Sequence, residues 1–186
     1  MKALIKSILV VAVMLGTYTS FANEPLEFAA TFKFINKGNA ISVTNASGEI
    51  IYSGTINYNG NLIRLFDFSK LKNGIYTVEI SKAFEIEVID LEVKNKNVRL
   101  LAETQEKIFK PVFRAEENTV IISKIALDSK EMHVEIYYQD ELIFKENIDD
   151  EEDILNRVYK LDTKNQGNYT AIIRTNNRVY TEHFSI

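Results

Sequence analysis

The sequence predicts an all-β protein built from two small β-sandwich domains in tandem, preceded by a signal peptide. Apolar and polar residues alternate with period two along much of the chain, turn-forming residues separate the alternating runs at short spacing, and the pattern occurs twice. Period two places successive side chains on opposite faces of a strand, so each run describes a strand with one buried face.

The first 22 residues stand apart from the rest. Met1, Lys2 and Lys6 make a positive start, Ile8 to Leu15 is an apolar run, and Ser20-Phe21-Ala22 puts small residues where a signal peptidase cuts. Residues 1–22 therefore read as a secretory signal peptide cleaved after Ala22. The apolar run falls short of the roughly 20 residues that cross a bilayer, so no stable membrane insertion is expected after cleavage. The expected location is an exported one: periplasmic, cell-surface or extracellular.

Composition narrows the chemistry. With 186 residues, no Cys, two His and a formal net charge of −4, the chain offers no disulfide framework, no thiol nucleophile and no basic surface for nucleic acid.

The strands follow in order. Ile41-Ser42-Val43-Thr44, Tyr76-Thr77-Val78-Glu79-Ile80, Phe84-Glu85-Ile86-Glu87-Val88 and Met132-His133-Val134-Glu135-Ile136 alternate cleanly. Turn chemistry punctuates them at Asn36-Lys37-Gly38-Asn39, Asn45-Ala46-Ser47-Gly48, Asn57 to Asn61, Lys72-Asn73-Gly74, Gln166-Gly167-Asn168 and Thr175-Asn176-Asn177. Only Val98 to Lys107 and Asp150 to Arg157 have patterns that would pass for a helical turn or two.

Glu49 to Ile56 resembles Glu141 to Ile148, Arg64 to Phe68 resembles Arg157 to Leu161, and Gly74-Ile75-Tyr76-Thr77 resembles Gly167-Asn168-Tyr169-Thr170, in the same order. Upstream of Glu49 the register of the repeat does not carry. Two related domains explain this, with the boundary near Lys94 to Asn97 or slightly later, before Pro111. The expected division is residues 23–104 and 105–186.

Gly74 with Tyr76, and Gly167 with Tyr169, are the structural residues singled out. Each tyrosine follows a glycine-containing turn at the head of a strand-like run. In immunoglobulin-like sandwiches such a tyrosine turns its hydroxyl back to the backbone and fixes a corner, so Ig-like or fibronectin-III-like domains are expected; the alternative is that both are simply buried aromatics.

Ile41 to Gly54, followed by Phe66-Asp67-Phe68-Ser69-Lys70-Leu71-Lys72-Asn73-Gly74-Ile75-Tyr76-Thr77-Val78-Glu79-Ile80, resembles the Por-type (type IX) secretion C-terminal sorting domains and related secreted bacterial Ig-like modules. Those families show a V-x-V-Y-N-x-x-G-Q stretch and a D-L-S-x-L-x-x-G-x-Y-x-V-x-I stretch. The resemblance covers most of the first domain and, more weakly, the second. It implies a small β-sandwich and an exported protein, with secretion machinery as a partner.

Catalytic chemistry is not expected. His133 and His183 both lie in strand-like runs, Ser53 and Ser69 lack a nucleophile elbow, Asp67 and Asp162 belong to different repeats, and the glycines form no phosphate-cradling loop. No catalytic, cofactor-binding or metal-ligating residue is assigned. Asp149 to Asp153, five acidic residues in a row, must be solvated because they repel one another, and lack the alternate spacing of a calcium loop. Asn45-Ala46-Ser47 and Asn168-Tyr169-Thr170 fit the glycosylation pattern, which is common by chance. Two functions are expected as alternatives: a non-catalytic binding, adhesion or structural module at the cell envelope, contacting a protein or glycan partner through exposed aromatics such as Tyr58 and Tyr137, or a terminal domain acting as a type IX sorting and surface-attachment signal.

Overall fold

The computed structural model describes residues 34–186, so the signal-peptide reading of residues 1–22 lies outside the described residues. Strands dominate: β1 (Ala40–Asn45), β2 (Ile50–Thr55), β3 (Gly74–Ser81), β4 (Glu85–Lys94), β5 (Asn97–Phe109), β6 (Val112–Glu116), β7 (Thr119–Ile125), β8 (Glu131–Tyr138), β9 (Glu141–Asp149), β10 (Ile154–Lys160), β11 (Asn168–Thr175) and β12 (Arg178–Ser185). A four-residue helix, α1 (Leu62–Leu65), and a 3-10 turn at Phe68–Lys70 are the helical elements among the described residues.

The strands form three antiparallel sheets, ordered β2-β1-β3-β4-β5, β10-β7-β6 and β12-β11-β8-β9. In the second half, Val120, Ile122, Leu155 and Tyr159 of the three-stranded sheet share one core with Met132, Val134, Ile136, Tyr169, Ala171 and Ile173 of the four-stranded sheet. Two sheets burying facing side chains make a sandwich. The first half differs: its described residues hold one sheet, and the core of Ile41, Val43, Val78, Ile80, Ile89 and Leu91 is closed by Ile35, Ile56, Leu62 and Phe68 from connecting segments.

Four strands of each half pair in corresponding order, β2-β1-β3-β4 matching β9-β8-β11-β12. Val43 opposes Tyr52, and a bulge precedes the Thr44–Ile50 pair; Ile136 opposes Phe144, and a bulge precedes the Tyr137–Leu142 pair. Asn45 opposes Tyr76, as Tyr138 opposes Tyr169, and Tyr76 opposes Leu91, as Tyr169 opposes Phe184. The register thus continues upstream of Glu49, where the sequence repeat is lost. The β8–β9 connection is shorter than the β1–β2 one, which hides the correspondence from a fixed-offset comparison.

Two expectations are corrected. Val98 to Lys107 is not helical but the body of β5, which hydrogen-bonds along β4 on either side of a bulge. Asp150 to Arg157 gives a loop and the start of β10, because β10 finds a partner in β7 over its full length. A boundary after residue 104 falls inside β5; the chain leaves the first sheet only at Lys110-Pro111.

Candidate functional site

Tyr76 and Tyr169 are both buried at the heads of β3 and β11. The Tyr76 hydroxyl donates to Lys72 O at 2.9 Å, and the Tyr169 hydroxyl donates to Asn165 O. The two glycines beside them differ. Gly167 has φ 147° and exchanges backbone hydrogen bonds with Ile186, whereas a Cβ on Gly74 would meet nothing closer than the Tyr76 ring at 3.7 Å.

The first sheet ends at β2, whose outer edge is unpaired among the described residues. Ile50, Ile51 and Tyr52 are exposed there, Ile50 by 64%. Beside them a hollow of about 280 Å³ is lined by Val43, Ile51, Tyr52, Phe66, Phe68 and Leu71, with the Tyr52 and Phe66 rings 5.5 Å apart. Residues 61–71 make this wall by local bonds: the Asn61 side chain accepts from Ile63 N at 3.0 Å and caps α1, and the Asp67 carboxylate accepts from Ser69 Oγ and pairs with Lys70 at 3.2 Å. The Ser69 hydroxyl and then Lys70 hold the exposed Asp67 carboxyl below its usual range.

Sheets commonly protect their edges with charge. Here β5, β6, β9, β10 and β12 all carry charged side chains, and β2, Ile-Ile-Tyr-Ser-Gly-Thr, carries none. Among the described residues it is the one uncharged sheet edge. Sequence reading had singled out Tyr58, which is exposed, and missed this edge.

A second concavity, about 780 Å³ and open to solvent, is lined by Asp128, His133, Asn147, Arg174, Asn176 and Arg178 among others. Its arginines are both paired, Arg174 with Glu135 at 2.7 Å and Arg178 with Glu79 at 2.6 Å. Glu135 also receives His133 Nε2 at 3.1 Å, Lys145 at 3.2 Å and the Tyr137 hydroxyl at 3.1 Å. The hydrogen bonds from Arg174 and His133, set against burial, hold its carboxyl down to about 2. Tyr137, expected as an exposed contact residue, is therefore committed to this network.

His183 sits against the Thr170 hydroxyl at 3.1 Å, apart from the Glu135 network. Asp162 caps a turn, accepting from Lys164 N at 3.0 Å, and Asp67 belongs to the hollow of the first sheet, so no acid pair is assembled from them. Two cations meet the acidic run: Lys130 Nζ donates to Glu151 O at 2.9 Å, Glu152 O at 3.0 Å and Asp153 Oδ1 at 2.8 Å, and the Arg157 guanidinium lies 4.0 Å from Asp150. Among the described residues no group of three His, Cys, Asp or Glu could hold a metal ion, and no helix is long and apolar enough to cross a membrane.

No curated protein matches the chain. Among solved structures, the extracellular domains 3–5 of Drosophila OTK align at 10% identity and a TM-score of 0.24, over 81% of this chain and 86% of that one. The described part of the stretch that matches a family model comprises β1 to β4, including the uncharged edge and its hollow. That stretch, residues 23–94, matches the secretion system C-terminal sorting domain family, the family its two motif stretches resemble.

Proposed function

We propose that the chain is an exported, non-catalytic protein of two β-domains, divided at Lys110-Pro111, whose first domain is an address read by a type IX secretion machine. The observation that carries this reading is the family match over residues 23–94. The surface offered for recognition is the β2 edge: a strand of the machine adds to the backbone groups left unpaired among the described residues, and an apolar side chain enters the hollow beside Tyr52 and Phe66. The acidic composition and lack of cysteine suit a protein released from the cytoplasm that is stabilised by core burial alone. Placement at the cell surface or outside the cell follows from the same reading. The expected role as an adhesion or binding module loses one of its two named contact residues, since Tyr137 is bonded to Glu135.

The test is a pair of fusions in a bacterium with type IX machinery, residues 23–110 and residues 111–186, each behind a periplasmic reporter. Surface display of the first alone is expected, together with its loss in Tyr52→Lys while circular dichroism is unchanged. Retention of both fusions in the periplasm would overturn the reading.

A further inference from the structure

We infer that the two halves of the chain are locked at a fixed angle by a clamp of charged side chains centred on Asp128 and Arg178. This rests on the two-domain reading and is independent of the sorting role. Domains joined by a short connection and a small polar interface ordinarily move relative to one another. Three attachments between the halves oppose that motion here.

The first is the connection itself. Only Lys110 and Pro111 separate β5 from β6. The proline fixes its own φ and restricts the residue before it. Lys110 Nζ donates to Ser81 Oγ at 3.2 Å and to Lys82 O, tying the connection back to the end of β3.

The second is Asp128, in the loop between β7 and β8. Its Oδ2 accepts from Phe109 N, the last residue of β5, at 2.7 Å. The same carboxylate accepts from Lys124 Nζ at 2.5 Å, from Ser129 N at 2.8 Å and from the Asn176 side chain. Lys124 is 1% exposed, and its remaining protons go to Ile125 O at 3.2 Å and Ser129 O at 3.1 Å. Asp128 cannot release Phe109 by swinging away without leaving a buried ammonium unpaired, so the backbone at the end of the first half is held by a group anchored in the core of the second. Burial pushes the Asp128 carboxyl up, but the bonds from Lys124 and Phe109 N outweigh it and keep it below the usual carboxylate range.

The third is Arg178, at the start of β12, whose two terminal nitrogens meet the two oxygens of Glu79 on β3 at 3.2 Å and 2.6 Å. A two-pronged guanidinium–carboxylate contact fixes direction as well as distance. Glu79 on β3 and Phe109 on β5 belong to the first sheet, and they are held from two separate places in the second half, Arg178 on β12 and Asp128 in the β7–β8 loop, so a hinge at Lys110-Pro111 would break at least one attachment.

Residual dipolar couplings of the backbone amides test the clamp in residues 23–186. One alignment tensor fitting both 35–109 and 112–186 is expected, and the Glu79→Gln, Arg178→Gln double variant, whose side chains are partly exposed, combined with Asp128→Asn should give two tensors of different magnitude. Two tensors in the unmodified chain would overturn the clamp while leaving two domains in place. One tensor that survives the double variant and Asp128→Asn would also overturn it, and would show instead that the halves share a core, against the two-domain reading.

Discussion

Tyr76 and Tyr169 occupy one structural position twice: each heads the strand next to a bulged partner, and each hydroxyl donates to the carbonyl four residues earlier, Lys72 O in one case and Asn165 O in the other. Tyr→Phe at either site should cost about 1 kcal/mol, the net worth of one hydrogen bond. Ala should cost about 3–5 kcal/mol through the cavity it leaves. The larger loss is expected at Tyr169, whose ring packs on both Tyr138 at 4.9 Å and Phe184 at 5.3 Å. Urea unfolding of the four variants checks this; a neutral Phe at both positions would mean that the hydroxyls contribute nothing.

Glu135 gives the chain an acid limit. Its carboxyl is depressed in the folded protein from the ordinary 4.5 to about 2, so its favourable contribution is complete above the unfolded value and is lost as pH falls through the folded one. Stability should therefore decline between about pH 4.5 and pH 2, and Glu135→Gln should flatten that slope. Thermal melts across the range measure it. An unchanged slope in the variant would assign the acid sensitivity to other carboxylates.

Lys124 and Asp128 should show strong coupling. Lys124→Ala leaves the Asp128 carboxylate without its buried partner and should destabilise by about 3–5 kcal/mol. Lys124→Met with Asp128→Asn removes both charges and should cost less than the two single changes added together. A double-mutant cycle by denaturant unfolding reads the difference, and simple additivity would contradict the pairing.

The acidic run from Asp149 to Asp153 should not bind Ca²⁺ as a site. The Lys130 ammonium already takes two of its carbonyls and one carboxylate. Calorimetry with Ca²⁺ should show no saturable heat, and a stoichiometric micromolar isotherm would refute this.

Much of the fold was legible because alternation survives wherever a strand has one dry face. β1, β3 and β8 follow it, with Val43, Val78 and Val134 turned into the core. In β4 the phase is the opposite of the one the run Phe84 to Val88 suggests: Phe84 is exposed, Glu87 is buried, and Ile89, Leu91 and Val93 face the core. β5 was hidden because its exposed and half-buried residues do not alternate across the bulge, leaving Gln105 and Glu106 in sequence positions that read as helical. The most instructive failure is Arg64 to Phe68 against Arg157 to Leu161. Similar residues form a capped helical turn in one half and a strand in the other, because β10 has β7 to pair with and Asn61 supplies a cap where β10 has none. The β2 edge was illegible for a different reason: its feature is the absence of charge, which has meaning only once the other edges are known.

Three hairpins close through two-residue turns with both residues at positive φ: Asn95-Lys96 at 51° and 67°, Gln139-Asp140 at 47° and 70°, and Asn176-Asn177 at 51° and 55°. That backbone twist matches the twist of paired strands. Such local ribbons zip in about 1–10 μs, long before distant strands meet. The β8–β9 and β11–β12 ribbons of the second half should therefore form early as prefabricated pieces, and the rate-limiting event should be the joining of β8 to β11, which must close the long stretch of chain carrying β9 and β10.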